Sequence, residues 1–417
     1  EFRRVLFRST KYQYTYFIYP YVVNEKNYVR YLQRLLSSKE YKIKFFESEK
    51  DADLYEYFLP KVRNTMFWSM DFAKLRISKF ENLDKDMQAT VLSKYPCAIF
   101  EYNLNKDIQG KAGKRDGIFF NISKIEVICF NNGICFLTIK TMLEGENTLA
   151  DVCNFNYKFR DIKSKLYDFK GYENIKIQTD MFNDVKEITE LIKEITGNNK
   201  GAKELNLDTE RFITYSYACI DQENWNDKTN EELLEKELYK FAQVERADNL
   251  VDSNSNGIKQ KMTIVEKSKY EIYGCSNIAT ILLTADINSE NYTKLPHIFE
   301  RQYLYNYIYE LYKKITLKKI NNEFKQNGKF KDTKQKFIDF TQKVWIEETT
   351  NDNTGSMLEE EWGTILKTGE VYNQVKAKYD VSYKNSNIEK TAKTNKLIVA
   401  ILIALLLINI IGIFKLF

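Results

Sequence analysis

Six carboxylates crowd one short stretch of this 417-residue chain: Glu347, Glu348 and Asp352, then Glu359, Glu360 and Glu361. Hard cations favour clustered carboxylate oxygens, so Glu347, Glu348 and Asp352 are candidate ligands for Mg2+ or another divalent cation. A solvated helix end is the plainer explanation, because acids near a helix N-terminus are favourable without a metal. A second grouping, Lys111, Lys114 and Arg115, offers positive charge to an anion. It lacks the spacing of a phosphate loop, and a flexible basic turn is the plainer explanation. Near the C-terminus Asn409 is the only polar side chain in a long apolar run, with Gly412 close behind. Both are candidates to line a pore; the alternative for Asn409 is a place beside lipid headgroups.

Other chemistries find little support. The chain has one histidine, His297, and six cysteines that form no CxxC pair, which argues against a zinc site or a histidine-based triad. Several of the cysteines fall inside apolar runs, where a thiol behaves as a small hydrophobe and suits a reducing compartment. No nucleophile–base pair or paired catalytic carboxylates emerge from the spacing, so the expectation is not an enzyme. Lys and Arg total 63 against 58 Asp and Glu, a near-balance that argues against a nucleic-acid partner.

These groups need elements to hold them. Residues 397–414 carry no charge, and eighteen helical residues span about 27 Å, close to the roughly 30 Å of a hydrocarbon core. Lys390, Lys393 and Lys396 precede this run, which by the positive-inside rule keeps the bulk of the chain in the cytoplasm beneath a cell (inner) membrane. Residues 1–9 look foreign, similar to the read-through of a sequencing adaptor, and are set aside. The aromatic run at 12–23 reads as a strand, and helices are expected at 25–37, 52–59 and 84–92. Strands follow at 97–102, 117–122, 123–130 and 133–140, the last two joined by a hairpin at Asn131-Asn132-Gly133. The segment 106–117 reads as a turn and 184–196 as an amphipathic helix. Strands at 211–221, 269–274 and 279–285, with a helix at 230–247, echo the first half weakly enough to suggest a degenerate duplication. After Pro296 the pattern is helical: 299–324, 332–348, and then one helix opened by a capping box of Ser356 and Glu359. Uninterrupted to residue 414, that last helix would be on the order of 90 Å long. The expected layout is a 10–197 α/β region, a 198–296 α/β region, a 297–396 stalk and a 397–417 transmembrane helix. The fold class is α+β or α/β with a mixed sheet, then an antiparallel helical stalk and the membrane helix.

Residues 340–350 (FTQKVWIEETT), Gly355, Trp362 and the 372–383 stretch make the C-terminal part resemble the CorA-like divalent-cation transporter family. The likeness covers roughly residues 299–417. It implies a cytosolic α/β domain that gates or senses, a long helix that enters the membrane, a homo-oligomer in the lipid bilayer, and transport of Mg2+ or a similar ion. The chain differs from that family in reading Gly412-Ile413-Phe414 where the family has Gly-Met-Asn, and in showing one apolar span. The alternative expectation is a tail-anchored signalling or defence effector or scaffold whose cytosolic domain binds a ligand or a protein.

Overall fold

The computed structural model describes residues 9–414 apart from 71, 73, 105–107, 113–117, 163–175, 180–181, 198–199, 226–230, 252–261, 325–329 and 347. Strand β1 (Thr10–Val22) is the expected aromatic run, and its alternation places large side chains on both faces. Tyr14, Tyr16 and Ile18 are buried on one side; Phe17, Tyr19 and Tyr21 are buried on the other. A strand apolar on both faces is stable only inside a sheet covered twice. β1 accordingly pairs antiparallel with β6 (Ile134–Leu143) along one edge and β9 (Ile213–Ile220) along the other. Pairing with β9 stops at Ile18, so Pro20, which has no N–H to give, lies where only β6 is a partner.

Beyond β6 the sheet continues through β5 (Ile118–Phe130), β4 (Ile108–Ala112), β7 (Lys176–Thr179) and β8 (Phe182–Glu187). The other end of β5 pairs with β3 (Cys97–Tyr102), which carries β2 (Tyr41–Ile43). On the far side of β9 come β12 (Ala279–Ala285), β11 (Glu271–Cys275) and β10 (Thr263–Ser268). Only the β12–β9 pair is parallel among the described ladders. The β5–β6 hairpin forms at Asn131-Asn132-Gly133 as expected. Gly133 has φ +83°, and a Cβ there would lie 2.1 Å from the Val23 carbonyl oxygen, so only glycine fits.

Three expectations change here. The 10–197 and 198–296 regions contribute to a single sheet, because β9 hydrogen-bonds directly to β1. β12 runs parallel to β9 whereas β6 runs antiparallel to β1, so the two halves do not repeat one topology. The segment around Lys111 is strand β4 rather than a turn, and residues 182–187 form β8 before the helix begins at Ile188.

Helices cover both faces. On one lie α1 (Tyr28–Ser37), the helix Lys85–Leu92 (α4), α5 (Leu149–Arg160), α6 (Ile188–Thr196) and α7 (Glu231–Gln243). Their apolar sides meet Phe17, Tyr21, Val127, Leu137, Ala218 and Leu283. On the other lie α2 (Ala52–Tyr57), α3 (Pro60–Met66), α8 (Leu304–Glu323) and α10 (Asn353–Ile365), over Tyr14, Tyr16, Ile128, Phe136, Tyr215 and Leu282. Helix α8 is the centre of that layer. Phe299, Tyr303, Tyr307, Leu311 and Ile315, at steps of four leading into and along it, are buried, but so are Tyr305, Ile308, Tyr309 and Tyr312. Fourteen of its twenty residues are buried, the mark of a helix enclosed on several sides. Helices α8 and α10 are therefore part of the α/β body and not of a stalk.

Only the last part of the chain leaves this body. The C-terminal half of α8, α9 (Phe330–Lys343) and the root of α11 (Thr368–Phe414) share a small core of Leu317, Ile320, Phe337, Phe340 and Val375. The uninterrupted final helix does not form. Trp362 O accepts the N–H of Leu366, Lys367 then turns to φ +58°, and α11 starts anew at Thr368. A left-handed residue cannot continue a right-handed helix, so the rod becomes α10, a corner, and α11 of 47 residues, about 70 Å long. Nor does the Ser356–Glu359 capping box form. Asp352 is the N-cap, accepting the Gly355 N–H at 2.6 Å. Residues 397–414 are helical throughout as the end of α11, but side chains are described only to Leu406. Among the described residues no helix is long and apolar enough to cross a membrane, so the expected transmembrane helix is unsupported there.

Candidate functional site

A dense polar arrangement lies where α8 meets α10. Lys313 on α8 is 5% exposed, with its ammonium 2.6 Å from Glu310 and 3.2 Å from Glu359 of α10. Burial works to lower the Lys313 pKa, but the two carboxylates overcome it and hold the pKa above the usual lysine value. Glu359 also receives the Thr349 backbone N–H at 3.1 Å, and the Thr349 hydroxyl lies 2.8 Å from the same oxygen. That hydroxyl is 2.9 Å from the Asn306 side-chain oxygen, and Asn306 donates to the Tyr57 hydroxyl at 3.1 Å. Gly355 lets the chain pass Tyr57 here, since a Cβ would fall 2.2 Å from the phenol oxygen. One buried chain of polar groups thus fixes α2, α8 and the start of α10 together.

The acidic residues singled out from sequence separate. Asp352 holds the helix N-terminus and accepts a hydrogen bond from Tyr303 at 3.3 Å, while Glu348 is exposed on the rim of an adjoining cavity. Glu347 lies outside the described residues. Among the described residues no group of three or more His, Cys, Asp or Glu side chains is placed to hold a metal ion. Of the basic grouping, Lys111 lies on β4 with its ammonium 5.6 Å from the centre of the Phe119 ring. Lys114 and Arg115 lie outside the described residues. Asn409 and Gly412 fall on the helical backbone of α11, beyond the last described side chain.

The charged clusters around Glu126 and Lys313 escaped sequence reasoning. Glu126 on β5 is 1% exposed and pairs with Lys44 at 3.0 Å and Lys124 at 3.1 Å, while Tyr305 donates to it at 3.2 Å. Burial would raise its pKa; Lys124 and Lys44 outweigh burial and bring it down to about 2. The signal present in the sequence was a glutamate sharing a strand face with Ile128 and Phe130. Likewise Glu310 falls inside the aromatic-rich run 303–312 and Lys313 directly follows it, a spacing of three that places both on one side of α8.

The remaining feature is the far part of α11. Tyr372, Val375 and Tyr379 near its root pack on Phe337, Trp345 and neighbouring residues of α8 and α9. The described residues from Lys384 onward are exposed, and so is every residue from Leu397 to Leu406. Taken together, the structure defines a three-layer body with a mixed sheet between two sets of helices and one helix leaving it. Compared with known protein families, curated proteins and solved structures, the chain matches none.

Proposed function

We propose that this chain is a membrane-anchored protein of CorA-like organisation, with its α/β body on the cytoplasmic side and α11 entering the bilayer. The observation that carries this reading is the exposure of α11 on all sides over its apolar stretch. Leu397 is 62% exposed, Ile401 51% and Leu406 61%, and successive helical residues differ by about 100° in direction, so no face is polar. Each such side chain forgoes about 1.5–3 kcal/mol by staying in water, and apart from Asn409 the sequence remains apolar through Phe414. A hydrocarbon environment removes that cost. Copies of α11, with Asn409 and Gly412 toward one another, would then surround a path for a divalent cation such as Mg2+. In this reading the α/β body biases the path through the corner at Lys367.

The test is reconstitution of the chain into liposomes. The expected results are retention in the bilayer after carbonate extraction, a homo-oligomer in detergent, and Mg2+ influx that Asn409→Leu abolishes. A monomer without flux would sink the transport part and leave a tail-anchored effector or scaffold. That second reading has its own support: the stripe Tyr372, Val375 and Tyr379 is already covered by α8 and α9 of the same chain.

A further inference from the structure

Lys390, Lys393 and Lys396 stand at steps of three directly before the apolar end of α11. Three helical residues turn through about 300°, so each lysine is offset from the last by about 60° and all of them fall on one side of the helix. They are exposed, and none has a carboxylate partner among the described residues. Several lysines of the body are held by carboxylates: Lys44 by Glu126, Lys140 by Glu300, Lys313 by Glu310 and Glu359, Lys319 by Glu25. Glu389 is the one acidic residue from Lys384 to the C-terminus, so this part of α11 is strongly cationic. Position along the helix is a second, independent observation. At about 1.5 Å per residue, Lys396 stands about 1.5 Å before Leu397, Lys393 about 6 Å and Lys390 about 10 Å. The headgroup layer of a bilayer is about 5–8 Å deep on each side of the hydrocarbon core. If the apolar run fills that core, Lys393 and Lys396 lie within the headgroup layer. Lys390 then lies just outside it, within a Debye length of about 8 Å.

We infer that this face of α11 binds anionic phospholipid headgroups, with the ammonium groups of Lys390, Lys393 and Lys396 paired to lipid phosphates. The inference rests on the reading of α11 as a membrane helix and adds the class of lipid that the helix selects. The positive charge fits phosphate, and each lysine near an anionic surface contributes about fivefold in affinity. The uncharged residues that follow fit a lipid rather than a nucleic acid or an acidic protein surface, neither of which would cover the next five turns of apolar helix. Distance grades the three lysines, with Lys393 and Lys396 contributing more than Lys390, and it leaves Lys384 out.

The experiment is electron spin resonance of the full chain in phosphatidylcholine vesicles that carry a trace of spin-labelled phosphatidylglycerol or of spin-labelled phosphatidylcholine. The expected result is a motionally restricted component for both lipids, with phosphatidylglycerol favoured about fivefold or more at low salt. The triple variant Lys390→Gln, Lys393→Gln, Lys396→Gln should lose most of that preference. So should the parent chain in about 1 M NaCl, where the Debye length is about 3 Å. Lys384→Gln should keep it, because that residue stands about 20 Å before Leu397. The three lysines are exposed and have no described partners, so the triple variant should unfold at the same temperature as the parent. Equal restriction of the two lipids by a chain that the vesicles retain would overturn the inference and leave the membrane reading standing. An undiminished preference in the triple variant would do the same. No restricted component with either lipid, in a chain lost on carbonate extraction, would overturn both.

Discussion

The indole of Trp345 lies flat on the ring of Tyr372, with 4.3 Å between centroids and 16° between planes. This stack joins the turn after α9 to the first turns of α11, so the exit angle of the long helix is set by side chains of its own chain. A double-mutant cycle of Trp345→Ala and Tyr372→Ala should give a coupling of about 0.5–1.5 kcal/mol in denaturant unfolding. A coupling near zero would mean that the angle is held elsewhere.

Lys367 provides a second handle on the same corner. Its φ of +58° costs a residue with a Cβ about 1–2 kcal/mol relative to glycine, part of which glycine returns as chain entropy. Lys367→Gly should therefore raise stability by about 0.5–1 kcal/mol, and the β-branched Lys367→Val should lower it. Thermal unfolding of the two variants, read side by side, tests the sign.

The Glu126 cluster sets an acid limit. Its carboxyl has a folded pKa of about 2 against an unfolded value near 4.3, so it binds protons less readily in the folded chain. The stability it contributes is complete above the unfolded pKa and is lost as pH falls from about 4.3 toward 2. Glu126→Gln should cost about 3 kcal/mol at neutral pH by leaving Lys44 and Lys124 uncompensated, and should flatten the acid limb of the stability curve. Urea titrations between pH 2 and 7 separate the two effects.

Between the packed root of α11 and its apolar end, Lys390, Lys393 and Lys396 are exposed. Brief trypsin treatment of liposome-bound protein should cut there first, releasing the α/β body and leaving the apolar end with the lipid. Primary cleavage within α8 or α10 instead would contradict their place in the core.

Much of the sheet was legible in the sequence because its strands announce themselves. Residues 97–102 and 279–285 match β3 and β12, and the Asn131-Asn132-Gly133 hairpin is where its turn chemistry requires. Helix α1 falls within the expected 25–37 and buries Tyr28, Tyr31, Leu32 and Leu35, which helical periodicity puts on one face. What escaped is long-range. The period of α8 reports one stripe, whereas its burial arises from β5 and β6 beneath and α10 and α11 beside it. No local rule marks Lys367 as a corner, because lysine is an ordinary helix former and its φ is imposed by packing. The candidate metal site of Glu347, Glu348 and Asp352 was read from adjacency along the chain, yet helix capping claims Asp352, and Glu359 of the same acidic stretch pairs with the buried Lys313.

The position of β1 has a consequence for the chain as it is made. Thr15 finds its backbone partner Thr141 only 126 residues later, and its side-chain contact Ser216 201 residues later. Until both have left the ribosome, a run of six aromatic rings from Tyr12 to Tyr21 has neither edge nor face covered. Such a segment attracts other unfinished chains, and contacts this distant form slowly. The strand on which the finished sheet is centred is thus, during synthesis, the stretch most in need of a chaperone.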